Sequence, residues 1–426
     1  MRLLRRTLIA ALIVLALSLV PGSGGRAAPA DSSVVSDWNA TAVQTLYAAK
    51  AGPVVGLHAL AMVHIAIYDA IRIIDEANAN HSYSLLGSTL HAPAGASQDS
   101  AAAAAARVVL LGLYPDQRSI IDAAYSASMA QMPDAGGRGV GVLIGNWVAN
   151  KILAWRSQDG SGIQDPYYQP EGPGVFQPAV PGTAVFVHWA KVAPFVLSSG
   201  SQFRPSPPPA LTSAQYTADF NEVESVGSLS STTRTPDQTQ AALFWIDDDL
   251  YMWNMVARNL AAQQHLTADQ EAQLFAELNV AMNDGLVAVF DAKYTYNLWR
   301  PEKAIASADT DGNPNTVADP AWKPLRAAPA HPDYPAAHAT SAGAASRVLA
   351  SFFGTDTMSF AFTTRTAPDG AIRSYTSFSG AATEEANSRV WLGFHFRTGT
   401  QVGLHLGQTV ADWTANHFGT VIPANQ

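Results

Sequence analysis

The sequence predicts an all-α protein. Apolar residues recur at helical spacing in segment after segment, strict apolar–polar alternation is scarce, and the Gly- and Pro-rich stretches gather into two long connections.

Residues 1–30 stand apart. Arg2, Arg5 and Arg6 precede an apolar run from Thr7 to Val20 and a small-residue stretch ending Ala28-Pro29-Ala30. This is the pattern of a secretory signal, with cleavage expected after Ala30 and a secreted or periplasmic product. The run is fourteen residues, against the roughly 20 that span a bilayer, so an uncleaved anchor is the weaker alternative. Arg5-Arg6 leaves the export route, general or twin-arginine, open.

Residues 54–75, from Val55-Gly56-Leu57 to Tyr68-Asp69-Ala70, read as a buried helix, and helices at 98–113, 117–131 and 138–156 complete an N-terminal helical half, 31–157. From 158 to 212 the composition turns to Gly, Pro, Ser and Gln. It ends in Pro205-Ser206-Pro207-Pro208-Pro209, where missing N–H donors forbid a helix, which predicts a long surface connection. The second half, 213–426, opens with helices near 213–226 and 236–263. Thr267 with Gln270 then forms a capping box, and Leu274, Phe275, Leu278, Met282, Leu286, Val289 and Phe290 lay one apolar stripe. That helix is expected to end just before Lys293. A loop over about 306–334 leads to helices at 337–353, 382–394 and 400–417. Both halves are expected to pack as one compact unit, and no internal repeat or second membrane segment is evident.

Without the signal, Lys+Arg falls by four arginines to 25 − 4 = 21 against 34 Asp+Glu, a formal charge of −13. That balance argues against nucleic acid as a partner. The chain has no cysteine, which excludes disulfides, thiol catalysis and thiolate metal sites.

Three short segments of the second half carry cations and histidines in otherwise apolar sequence. They are Lys293-Tyr-Thr-Tyr-Asn-Leu-Trp-Arg300-Pro301, Pro335-Ala336-Ala337-His338 where a loop becomes a helix, and Ser388-Arg389-Val-Trp-Leu-Gly-Phe-His395. The last places Arg389 and His395 less than two turns apart if both lie on one helix. Singly, each reads equally well as a solvated helix end, a cap or a core histidine. Together, three cations and two histidines among Trp299, Tyr334, Trp391 and Phe394 are costly to bury without an anion.

The order and spacing resemble the three-part signature of the vanadium haloperoxidase and phosphatidic-acid-phosphatase (PAP2) superfamily: Lys-x6-Arg-Pro, Pro-Ser-Gly-His and Ser-Arg-x5-His. The first and third parts match fully. His58-Ala-Leu-Ala-Met-Val-His64 through Asp69 and the stretch from His188 to Pro209 also resemble secreted bacterial members. The resemblance implies a helical bundle of the vanadium chloroperoxidase and acid-phosphatase type. It implies vanadate as cofactor, with phosphate able to occupy the same site, His395 bonded to the vanadium, and Lys293, Arg300, Arg389 and the Ala337 backbone holding its oxygens. His338 is then the acid/base and Lys293 polarises bound peroxide. Hydrogen peroxide would oxidise a halide, with bromide favoured because His331 stands where bromoperoxidases carry histidine; a loop histidine in a Pro-rich turn is the plain alternative. Two other functions stay open: an acid phosphatase that forms a phosphohistidine at His395, and a non-catalytic oxyanion binder. The chain departs from the signature at Ala336 and Ala337, which replace Ser and Gly and remove one hydroxyl donor, worth about 1.5–3 kcal/mol to a charged group. Halide, organic substrate and oligomeric state are not legible.

Three other signals carry less. Asp309-Thr310-Asp311-Gly312-Asn313 lacks the spacing of a calcium loop and reads as a turn. Asp247-Asp248-Asp249 reads as a helix start, or as a carboxylate source orienting Arg389 or His338. His58 and His64 read as core histidines.

Overall fold

The protein is described here by a computed structural model covering residues 33–79, 92–133 and 136–418. The secretory signal lies outside the described residues. These contain thirteen α-helices: α1 Val34–Ala48, α2 Pro53–Ala79, α3 Gln98–Leu113, α4 Arg118–Gln131, α5 Gly136–Arg156, α6 Ala214–Gly227, α7 Pro236–Phe244, α8 Asp249–Gln263, α9 Ala268–Tyr296, α10 Pro301–Ala306, α11 Ala337–Phe353, α12 Phe378–Trp391 and α13 Arg397–His417. One antiparallel hairpin, β1 Phe360–Phe362 with β2 Arg373–Tyr375, is the sheet present among them. The all-α expectation holds.

Helix α9 is the axis of the bundle. Leu274, Phe275, Leu278, Met282, Leu286 and Phe290 are buried along it together with the small residues between them, so it is covered by α2, α11 and α13 rather than facing solvent on one side. Helix α2 is long and apolar enough to cross a membrane, yet 94% of that stretch is buried inside the protein, as in a core helix. Helices α11 and α13 touch backbone to backbone: a Cβ at Gly407 would lie 1.9 Å from the Thr340 carbonyl, and one at Gly343 2.1 Å from that of Leu404. Only glycine permits this approach, and it fixes the start of α11 against the start of α13.

The structure departs from the expected elements at five places. Helix α1 was not legible because Ser36, Asn39 and Thr45 interrupt its apolar stripe; all three are buried, and Ser36 and Asn39 bond to Glu271 and to Asn254 and His64. The expected helix 236–263 is two helices, broken over Trp245–Asp248. Helix α9 runs through Lys293 to Tyr296 before Asn297 closes it in the left-handed region. Helix α12 stops at Trp391, so His395 does not share it with Arg389.

The fifth departure is the connection between α5 and α6. It holds one 3-10 turn, Val187–Lys191, but is not wholly superficial, because it buries Trp189, Phe195 and Val196. The Asp284 carboxylate of α9 accepts the N–H groups of Phe195, Val196 and Leu197 at 2.8, 2.7 and 3.0 Å. Further along, the Trp299 N–H donates to the Gly174 carbonyl (2.8 Å), Phe176 to Asn297 (2.7 Å) and Val185 to Ala330 (2.9 Å).

Candidate oxyanion site

The structure brings the three signature segments together. Lys293, in the last turn of α9, is fully buried, and its Nζ donates to the carbonyls of Pro332 (2.7 Å) and Asp333 (2.8 Å). Arg300, the N-cap of α10, donates from Nε to the His331 carbonyl (2.7 Å) and from Nη1 to the Phe394 carbonyl (3.0 Å). Arg389, in the last turn of α12, donates from Nη1 to the Trp245 carbonyl (3.1 Å) and lies over the Phe394 ring at 5.0 Å. Its Nε has no partner. All three cations are buried, and their hydrogen bonds go to carbonyls and imidazoles rather than to carboxylates.

His395 enters this cage through a turn. Gly393 has φ +77°, and a Cβ there would lie 2.6 Å from the Gly227 carbonyl and 2.9 Å from Trp322, so the chain reverses after α12 only with glycine at this place. Nε2 of His395 then faces Arg300 Nη1 at 3.3 Å. Its Nδ1 lies 2.9 Å from the Asp333 carboxylate, close enough for an ion pair but without hydrogen-bond alignment. Asp333 was not read as a site residue. It lies five residues before His338, and nothing in a Pro-rich loop separates it from a turn aspartate. Its carbonyl receives Lys293, its N–H donates to the Leu298 carbonyl (2.9 Å), and its side chain meets His395.

His338 is the second residue of α11, at a positive helix end where the N–H groups of Ala337 and His338 have no partner within the helix. Its Nε2 is 3.3 Å from the Asp247 carbonyl and 3.9 Å from the Asp249 carboxylate, and its side chain is 22% exposed, more than any cation of the cage. His331 is buried as well. Its Nδ1 is 3.0 Å from Arg300 Nη2 and its ring stands edge-on to Phe290, so this turn histidine forms part of the cage wall.

Burial, then mutual repulsion, sets the charge state. Lys293 is pushed well below its ordinary value by burial and by Arg300, and Arg300 and Arg389 down to about 10, with burial the main cause. His331, His338 and His395 are lowered by burial and then by the surrounding cations, so they are neutral imidazoles at neutral pH. Burial raises Asp333 to about 7 against the pull of Arg300 and Lys293. Asp249 and Glu385, near Arg389, are both raised by burial. The result is two buried guanidinium cations and a lysine whose charge burial opposes, facing neutral imidazoles, an arrangement whose charged form an anion stabilises.

The remaining sequence signals resolve plainly. Asp248 and Asp249 do start α8; the Asp247 carboxylate is held by Arg365, and it is the buried Asp249 carboxylate that lies by Arg389 and 3.9 Å from His338 Nε2. His58 sits between Asp159 (2.8 Å) and Asn283 (3.1 Å), and His64 stacks on Phe275 with Asn39 at 2.7 Å; both are core histidines. Asp311 accepts from the Asn313 N–H (2.7 Å) and the Thr316 hydroxyl (2.8 Å), which makes a turn. Among the described residues no cluster of three His, Cys, Asp or Glu side chains is arranged to hold a metal cation.

Comparison with known proteins agrees with this geometry. Residues 273–423, which carry all three segments, match the family model of the VCPO second helical-bundle domain. The vanadium chloroperoxidase of Curvularia inaequalis is 26% identical over 189 residues, covering 37% of this chain but only 30% of that protein's length. A bacterial vanadium-dependent iodoperoxidase superposes with a TM-score of 0.75 at 27% identity, over 90% of this chain and 95% of the other. The holo form of a bacterial vanadium-dependent chloroperoxidase shares the fold, with a TM-score of 0.69 at 16% identity over 87% and 93% of the two chains. The signature segments, the cage they build and these matches together show that the chain is similar to the vanadium haloperoxidases, in its second helical bundle by sequence and over most of its length by fold.

Proposed function

We propose that the protein is a vanadium-dependent haloperoxidase that oxidises a halide with hydrogen peroxide at a vanadate bound to His395. One observation carries this reading: three buried basic side chains, bonded only to carbonyls and imidazoles, act together on a buried histidine whose Nε2 faces Arg300. The fit to a tetrahedral oxyanion is supported by the unpartnered Arg389 Nε and by the free first-turn N–H groups of α11. Lys293, Arg300, Arg389 and the Ala337 N–H would hold the non-bridging oxygens, and His395 Nε2 the central atom. When bound, vanadate supplies a Lewis-acid centre that activates hydrogen peroxide for two-electron oxidation of a halide.

The chain's own residues have separable tasks. Asp333, beside Nδ1, favours the tautomer with its proton there and so leaves the Nε2 lone pair available. His338, neutral and partly exposed, takes a proton from the incoming peroxide and returns it to a leaving oxygen. Lys293, with its ammonium fixed by two carbonyls, draws charge from the reacting oxygen. Bromide is the halide proposed because His331, in the cage wall, stands where the resemblance places the histidine of bromoperoxidases.

The test is purified protein, with and without orthovanadate, assayed against bromide plus peroxide and against an aryl phosphate. Vanadate-dependent bromide oxidation is expected. Phosphate-ester hydrolysis that vanadate inhibits, without bromide oxidation, would replace this reading by a phosphatase working through a phosphohistidine at His395. Binding of vanadate with neither turnover would leave an oxyanion binder. Export belongs to the same proposal: material recovered outside the cell should begin at Asp31, and an intact Met1 would overturn it.

A further inference from the structure

A cleft of about 460 Å³ opens beside the cage, and Arg300 belongs to both. Its other walls are Phe176, Pro178 and Val180 from the connection between α5 and α6, Ala306 from α10, and Pro329 from the loop that carries His331. The connection is tied there at both ends, by Phe176 N–H to Asn297 and Val185 N–H to Ala330. The segments that form the cleft are therefore the ones that position Arg300 and His331. The size falls within the roughly 300–1,000 Å³ of small-molecule sites.

Charge selects among occupants. Lys303 stands on the cleft wall one turn after Arg300, exposed and with no carboxylate within salt-bridge distance among the described residues. The one acid of the lining, Glu302, is engaged by Lys323 at 2.9 Å. Largely apolar walls with one exposed, unpaired lysine and a neutralised acid fit a mainly apolar molecule that bears a negative charge.

We infer that this cleft binds a small aromatic carboxylate, with its ring against Phe176 and Pro329 and its carboxylate toward Lys303, as the organic acceptor of the oxidised halogen. This rests on the haloperoxidase reading for the use made of the ligand, though not for its binding. In the overall step a ring C–H bond breaks and a C–halogen bond forms. The halide gives two electrons to hydrogen peroxide, whose O–O bond breaks, and the ring proton and one solvent proton end in two waters. An electron-rich ring, such as a phenol, suits an electrophilic halogen.

Binding is measured by calorimetry on the vanadate-free full chain with 4-hydroxyphenylacetate, its neutral amide, and the Lys303→Glu variant. The acid is expected to bind, and either removing its charge or reversing that of Lys303 should weaken binding about tenfold, as for one charge-assisted contact. Because Lys303 is exposed, Lys303→Glu should fold; circular dichroism checks this, and Lys303→Met is the substitute if it does not. Acid and amide binding equally, no binding of the acid, or affinity unchanged by the Lys303 variants would each overturn the cleft assignment. Bromide oxidation by the unmodified protein, without any organic acceptor, reads the parent function separately. Charge-dependent binding without bromide oxidation would keep the cleft and sink the haloperoxidase; bromide oxidation without binding would do the reverse.

Discussion

Ala336 stands where the superfamily signature has serine, and the structure gives that position two jobs. It is the N-cap of α11 with no side-chain capping bond, it is fully buried, and its N–H and carbonyl are already committed to Gly399 (2.9 Å) and Thr340 (3.1 Å). A serine hydroxyl there can accept from the first-turn N–H of Ala339 while donating its own proton to an anion in front of the helix. Ala336→Ser is therefore expected to act twice. Capping should stabilise the protein by about 1 kcal/mol, read as a higher urea midpoint in the absence of vanadate. One new hydrogen bond to a charged ligand, at the lower end of about 1.5 kcal/mol, should tighten vanadate about tenfold, read by quenching of tryptophan fluorescence on titration. The opposing effect is crowding, since Ala336 packs with Ala339, Ala386 and Leu404 and overpacking costs about 1–3 kcal/mol. The two readouts separate these effects, because crowding lowers the midpoint whereas failure of the ligand bond does not. A folded variant with a raised midpoint and unchanged vanadate affinity would show that the start of α11 does not face the anion, and the site assignment would fall with it.

His395→Ala should abolish both vanadate binding and any turnover, whereas His338→Ala should keep binding and lose turnover; activity retained without His395 would refute the assignment. Asp333→Asn removes the carboxylate beside His395 Nδ1 and should weaken vanadate by about tenfold or more, as loss of such an orienting partner does, with folding checked by circular dichroism. Gly393→Ala forces a side chain into a left-handed turn and against the Gly227 carbonyl, so a large fall in denaturation midpoint is expected, and a neutral result would count against the turn. His64, lowered to about 3 by burial and then by Arg258, is neutral in the folded protein but takes a proton near pH 6.5 when unfolded. Its contribution is full above pH 6.5 and is lost as pH falls toward 3, by at most about 1.4 kcal/mol per pH unit. His64→Gln should be less stable at pH 7.5 and show a shallower acid slope; an unchanged slope would mean that His64 does not titrate on unfolding.

The helices that were legible are those whose burial is one-sided or uninterrupted. Gln98–Leu113 and Ala337–Phe353 begin and end where small residues, caps and Gly354 mark them. Helix α1 was hidden because its buried face is partly polar, and a stripe containing Asn39 and Thr45 looks like no stripe at all. Lys293, Arg300, Arg389, His338 and His395 could be picked out because cations and histidines amid aromatic residues fall in an order and spacing that resemble the superfamily signature. Asp333 could not, since what distinguishes it is a neighbour sixty-two residues away in sequence, His395, and proximity across that distance is a property of the fold. The break at Trp245–Asp248 was missed for the same reason: the local pattern favours helix, and the contacts that end it come from Arg365 and Arg389.

That break has a consequence for how the pocket is furnished. In an unbroken helix the carbonyls of Trp245 and Asp247 would be consumed by the N–H groups of Asp249 and Tyr251, four residues on. Here the Tyr251 N–H turns to Asp248 instead, and the two released carbonyls face inward, one receiving Arg389 and the other His338. Two anchors of the pocket thus come from a discontinuity in the main chain and owe nothing to the side chains that carry them. Replacing residues in this stretch leaves both anchors in place as long as the chain stays interrupted, whereas any change that lets α7 and α8 fuse withdraws both at once.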